Sequence, residues 1–201
     1  MARMIPSNTS TLRTSGEKKV YQLLKSTLPI ECVVRYEVLV GYQASRPDFT
    51  IADPQRGVCI VEIKDWGIDS ILKITPDNVV VKGMQGSPAP VSMINPYKKC
   101  RTYVEDLRDQ MAGMVSLLDE KNHLSVPIAF FLVFPNIKRD DFIAKGFEKV
   151  IPVEEVVFSD DLHNDGEGFL RHYRSALPLL PANLSKEQQD DLSKALDPTI
   201  V

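Results

Sequence analysis

Cysteine is scarce in this chain: Cys32, Cys59 and Cys100 form an odd, scattered set of three. That excludes a disulfide framework and leaves no ligand spacing for structural zinc, so a reducing cytoplasm is the expected location. Histidine is equally thin. His123, His163 and His172 lack the spacing of a metal box and are expected as surface or internally satisfied side chains. Long apolar runs are missing too. The longest, 126–134, contains Pro127 and is far too short to cross a bilayer, and nothing has the form of a signal peptide, so no membrane partner is expected. Positive charge is not in excess: 24 Lys and Arg stand against 27 Asp and Glu, a net charge of -3. Such a surface does not adhere to polyanions as a whole, and any nucleic-acid contact must come from a local basic patch.

What is present suffices for one domain with a substantial core: 201 residues, 43% hydrophobic and 25% charged. The chain is organised around 46–66, RPDFTIADPQRGVCIVEIKDW. β-Branched residues alternate with polar ones on both sides of a Pro/Gly-containing loop. The pattern predicts a strand over 47–52, a turn over 53–57 and a second strand over 58–64. Side chains alternate along a strand, so Asp48, Thr50 and Ala52 share one face, as do Val58, Ile60, Glu62 and Lys64. A loop that sets Ala52 opposite Val58 also sets Asp48 opposite Glu62. Like charges so placed are destabilising, and Ile60, Val61 and Ile63 mark a central strand where charge is seldom buried without compensation. Either Lys64 neutralises Glu62 on a solvated face, or both carboxylates hold a hard divalent cation with Lys64 at the edge of an anion site. Upstream, Thr14 and Glu17 have capping-box spacing. Val20, Tyr21, Leu24 and Leu28 follow at helical spacing and place Glu17 on the inward stripe.

Pro47-Asp48, thirteen residues, and then Glu62-Ile63-Lys64 resemble the PD-(D/E)xK nuclease signature. The fuller run of Gly16-Glu17, Arg46-Pro47-Asp48-Phe49 and Val61-Glu62-Ile63-Lys64-Asp65-Trp66 resembles the nuclease-related domain, NERD, over roughly 14–118. The resemblance implies an α/β, restriction-endonuclease-like fold: an αβββαβ core with a mixed central sheet flanked by helices. It also implies Mg2+, with Mn2+ as a substitute, held by Asp48, Glu62, the Ile63 carbonyl and Glu17, the last matching an acidic residue of the family's first helix. Asp48, Glu62 and Lys64 are then the catalytic set. The family usually has glutamine four residues after the Asn of an Asn-Pro motif. Asn95-Pro96 is present, but Lys99 stands in the glutamine's place, which leaves a phosphate-binding role open there.

Along the rest of the chain, 1–13 reads as a loose terminus, 14–180 as the nuclease-like domain and 181–201 as a linker with the start of a further domain. A first sheet strand is expected over 31–40, and Trp66 is expected either to pack beneath the site or to stack on a base, packing being favoured. A small hairpin is expected from 71–74 and 78–82, and a loop over 83–90 bordering the substrate groove. A helix over 96–118 carries the apolar stripe Val104, Leu107, Met111, Met114, Val115 and Leu118. Near its amino end Lys98, Lys99, Arg101 and Arg108 form a basic cluster, either a phosphate contact or a solvated face. Further expectations are a buried strand over 127–134, a short helix over 140–146, one or two short strands over 150–158, an acidic surface loop over 159–168 and a helix over 169–176.

In the tail, Leu184 to Gln188 resembles the adenine-contacting Leu-Ser/Thr-x-x-Gln element that opens a superfamily 1 helicase, and 198–201 resembles its first strand. No glycine-rich phosphate loop follows, so this chain does not hydrolyse ATP. The alternative is an ordinary terminal helix capped by Ser185. The function implied is hydrolysis of DNA phosphodiesters by the nuclease module of a nuclease-helicase, in DNA repair or defence against phage. Lys64 would position or help deprotonate the attacking water and steady developing negative charge. Two alternatives belong to other classes: an inactive nucleic-acid-binding or regulatory module of a helicase, and a protein-interaction domain using the methionine-rich stripe.

Overall fold

The computed structural model describes residues 1–40, 46–83 and 89–196. At its centre lies β4 (Gly57–Ile63), a seven-residue strand buried along its whole length. Its edges are both paired: antiparallel to β3 (Phe49–Asp53) on one side and parallel to β8 (Ile128–Phe134) on the other. With β1 (Arg3–Ile5), β2 (Val33–Tyr36) and β9 (Val156–Phe158) these form a mixed six-stranded sheet in the order β1-β2-β3-β4-β8-β9. The ladder confirms the expected hairpin register, with Ala52 opposite Val58 and Thr50 opposite Ile60.

Strand alternation divides the sheet into two covered faces. On one, Phe49, Ile51, Cys59 and Val61 pack with Val20, Tyr21 and Leu24 of α1 (Ser15–Thr27) and Phe169 and Tyr173 of α4 (Glu167–Ala176). On the other, Ala52, Val58 and Ile60 meet Tyr103, Leu107 and Met111 of α2 (Pro96–Ala112) and Leu192 and Ala195 of α5 (Lys186–Ala195). The core is therefore an α/β sandwich whose elements run α1, β2, β3, β4, α2, β8. A separate sheet of β5 (Ile71–Ile74), β6 (Asn78–Val81) and β7 (Val91–Ile94) is inserted after β4. Its Val79 and Val81 join a third cluster with Phe134, Phe158 and Phe142 of α3 (Arg139–Ala144). Trp66 packs here, its ring 6.0 Å from that of Phe134. Among the described residues no helix is long and apolar enough to cross a membrane.

Several expectations need correction. The amino terminus is not loose throughout, because residues 3–5 pair in parallel with β2 and bury Met4. The β2 strand is four residues rather than ten, as Glu37 turns into positive φ. The α2 helix stops at Ala112, where Gly113 ends it. Val115 then lies exposed in a short 3-10 turn rather than on the apolar stripe. Met111 is buried in the core and Met114, past the end of α2, is half-buried against it, so the methionines pack inward rather than form an interaction surface. No strand is expected directly after the loop over 83–90, yet β7 follows it at once, and 84–88 lies outside the described residues. The 159–168 segment is not a free acidic loop. Asp161 accepts the Phe158 amide at 3.0 Å and pairs with Arg139 at 3.0 Å, and Leu162 is buried. His172 is satisfied in the same network, 3.5 Å from Asp161.

The junction of β4 with β8 depends on Gly57. Its φ is +118°, and a Cβ there would run into the Pro127 carbonyl oxygen, which already accepts the Val58 amide at 2.9 Å. Gly57→Ala is expected to lower stability by about 1–3 kcal/mol in urea unfolding. An unchanged midpoint would show that this junction is not under that constraint.

Candidate active site

The sheet's α2 face becomes polar at the carboxyl end of β4. The apolar sequence Val58, Ile60 is followed on the same face by Glu62, which is 1% exposed, and then by Lys64 just past the strand. One oxygen, Oε1, receives Lys64 Nζ at 2.7 Å and Lys99 Nζ at 3.1 Å. The other, Oε2, is buried and meets no hydrogen-bond partner among the described residues. Tyr103 stands close to this carboxylate, yet donates its hydroxyl proton to the Arg46 carbonyl at 3.1 Å. Burial, then the Glu62 charge, pushes the Tyr103 hydroxyl far above its usual range, so it stays protonated.

Asp48 immediately precedes β3, in line with the ladder that sets Phe49 opposite Val61. Its Oδ2 accepts the Ile63 amide at 2.6 Å. Burial and the neighbouring Glu62 charge push the Asp48 carboxyl up to about 7, against the opposing pull of that amide and of Lys64. Asp48 and Glu62 thus form the electrostatically coupled pair expected from the register.

Glu17 is placed differently. It is buried on the α1 side, where its Oε2 accepts the Arg13 amide at 2.7 Å and the Tyr36 hydroxyl at 2.8 Å. It acts on Asp48 only as the weakest of that group's influences. What brings Glu17 here is the pairing of Gly16 and Asp65. Asp65, two residues past β4, accepts the Gly16 amide at 2.8 Å at the start of α1, and a Cβ on residue 16 would collide with that carboxylate. Asn136 holds Asp65 from the other side at 3.1 Å. The Gly-Glu and EIKDW elements are therefore joined by a helix-start contact favoured by the helix dipole.

The basic cluster of α2 does not act as one patch, because successive helical residues point about 100° apart. Lys99 and Tyr103, four apart, face Glu62, with the ammonium 5.2 Å from the ring centre. Lys98 and Arg101, three apart, line a separate cavity of about 440 Å³ with Asp77 and Tyr97. Lys98 pairs there with Asp77 at 2.6 Å. Asn95 caps α2 through the Tyr97 amide at 2.9 Å and ties it to the Thr75 carbonyl at 2.8 Å, so the Asn-Pro motif has a structural role. A larger cavity of about 610 Å³, lined by Arg139, Asp161 and His172, contains none of the candidate residues.

Among the described residues no group of three or more His, Cys, Asp or Glu side chains is arranged to hold a metal. The two carboxylates nevertheless fit a hard cation that keeps most of its water, for which one or two carboxylates are usual. The unpartnered Glu62 Oε2 is the structural observation that supports the fit. The chain matches no known protein family, no curated protein and no solved structure significantly.

The raised Asp48 carboxyl links stability to pH with a definite sign. Asp48 keeps its proton in the fold up to about pH 7, against an ordinary value of 3.8. Its contribution is full below about pH 4 and is lost as pH rises through 7. In chelating buffer, Asp48→Asn is expected to gain stability over wild type between pH 5 and 8, on the order of 1–3 kcal/mol. Parallel stability curves for the two proteins would contradict this assignment.

Proposed function

We propose that this chain is a metal-dependent DNA nuclease of the PD-(D/E)xK type, built on a restriction-endonuclease-like, NERD-like core. The observation that carries the reading is Glu62: an acidic residue of the central strand, almost fully buried, with one oxygen that meets no partner among the described residues, beside a second carboxylate. A strand interior keeps such a group only where something compensates it. The α1-β2-β3-β4-α2-β8 succession, with β4 parallel to β8, supports the fold assignment.

Asp48, Glu62 and the Ile63 carbonyl would hold Mg2+ or Mn2+. Glu17 is a more distant contributor, since Tyr36 and the Arg13 amide already occupy its Oε2. When bound, the ion supplies Lewis-acid polarisation of the scissile phosphate. The protein's own groups do the rest. Asp48 is held in place by the Ile63 amide, and Lys64 is fixed by Glu62 at the site's mouth, where its ammonium can orient the attacking water and steady charge on the phosphoryl oxygens.

A cytoplasmic role in DNA repair or phage defence, within a longer nuclease-helicase, belongs to the same proposal. Its helicase part rests on the resemblance of 184–188 and of 198–201. In the fold, Ser185 and Gln188 form a capping box, and α5 buries Leu192 and Ala195 against this domain. Pro198 to Val201 lies outside the described residues. A second reading, a catalytically idle nucleic-acid-binding module, is favoured by the two ammonium groups already placed on Glu62 Oε1.

The test is incubation of the full chain with labelled single-stranded and duplex DNA in Mg2+ and in Mn2+. Cleavage is expected, lost with chelator and reduced at least about a hundredfold in Glu62→Ala, Asp48→Asn and Lys64→Met. DNA binding without cleavage under every condition would favour the idle module. Cleavage untouched by all three substitutions would place the chemistry elsewhere.

A further inference from the structure

Two ammonium groups converge on one oxygen of Glu62 while the other, equally buried, has no partner among the described residues. A cluster shaped for stability alone would divide two donors between two oxygens, because a buried carboxylate oxygen without a donor is costly. The lysines are also held unequally. Lys64 lies two residues after Glu62, just past the end of β4, so its reach is fixed by the backbone that carries both. Lys99 comes from α2, is 41% exposed against 23% for Lys64, and lies at the longer distance. Below it, Tyr103 offers only the face of its ring.

The charges favour an exchange. Two carboxyl groups, Asp48 and Glu62, and two ammonium groups, Lys64 and Lys99, meet in this cluster. A divalent cation on those carboxylates neutralises them by itself and leaves both ammonium groups without a counter-ion. A phosphodiester brings one negative charge per linkage, and the lysine with freedom to meet it is Lys99.

We propose that Lys99 is a displaceable counter-ion, pairing with Glu62 while no divalent cation is bound and turning to a backbone phosphate of the nucleic acid once a cation takes Glu62. The proposal rests on the metal-nuclease reading of the site. It makes Lys99 the phosphate contact coupled to metal binding, separate from Lys98 and Arg101 on the other flank of α2. Metal and nucleic acid then bind cooperatively, since the cation frees the group that the phosphate needs.

The experiment has two arms, both independent of cleavage. In the first, Mn2+ binding to the full chain is measured by calorimetry without DNA, for wild type, Lys99→Met, Lys99→Gln, Glu62→Gln and Lys186→Met. Removing the competing ammonium is expected to tighten Mn2+ binding about threefold to tenfold in both Lys99 variants. Lys186→Met, altered in an exposed pair with Asp190 on α5, should match wild type. In the second arm, the salt dependence of DNA binding is compared with and without Ca2+. The slope for Lys99→Met should be shallower than that of wild type by about 0.7–0.9 with Ca2+ and equal to it without. If Glu62→Gln abolishes Mn2+ binding while both Lys99 variants bind like wild type, the counter-ion proposal is overturned and the metal reading stands. If the wild type itself binds no Mn2+, both fall together. A slope change equal in the two conditions, zero included, overturns the release step.

Discussion

The structure depends on a carboxylate in the wrong place for stability. Glu62 sits in a strand buried along its whole length, with paired strands on both sides and α2 across its face. A charge there costs several kcal/mol unless it is compensated, and the surroundings can be understood as that compensation. Lys64 is supplied by the next residue on the same face and Lys99 by the helix that covers it, while burial together with the Glu62 charge makes Asp48 hold its own proton more tightly. Each of these adjustments moves if Glu62 becomes neutral.

The residues around the carboxylates serve to keep them there. Asp65 fixes the start of α1 to the end of β4 through the Gly16 amide, which places Glu17 against Tyr36. Asn95 fixes the start of α2 to the small inserted sheet, which sets Lys99 and Tyr103 over Glu62. Gly57 fixes the far end of β4 to Pro127, ahead of β8. Three contacts between elements distant in sequence thus position one short row of polar side chains.

Much of this was legible in the sequence because it is local. Alternation on either side of a Pro/Gly turn points to the β3–β4 hairpin, Ile60, Val61 and Ile63 around Glu62 mark β4 as a central strand, and unbroken apolarity marks β8 as a buried one. What was not legible depends on long-range contacts. The β1 strand has a polar neighbourhood and exists because the open edge of β2 accepts it. The β7 strand pairs only with β6 and was hidden behind a Gly/Pro-rich loop. The split of the basic cluster follows from helical geometry already implicit in the spacing of Lys98, Lys99 and Arg101. Which flank faces Glu62, however, is decided by the packing of Cys100, Leu107 and Met111. The end of α2 could have been found from Gly113, but helical periodicity continued past it and concealed the break.

The cation site proposed at Glu62 has a direct thermodynamic signature. Thermal unfolding of wild type and Glu62→Gln with and without Mn2+ tests it most directly, because a ligand that binds only the folded state raises its stability. Wild type should gain about 2.7 kcal/mol at a Mn2+ concentration a hundred times its Kd, and Glu62→Gln nothing under the same conditions. Equal shifts in the two proteins, or no shift in wild type, would contradict it.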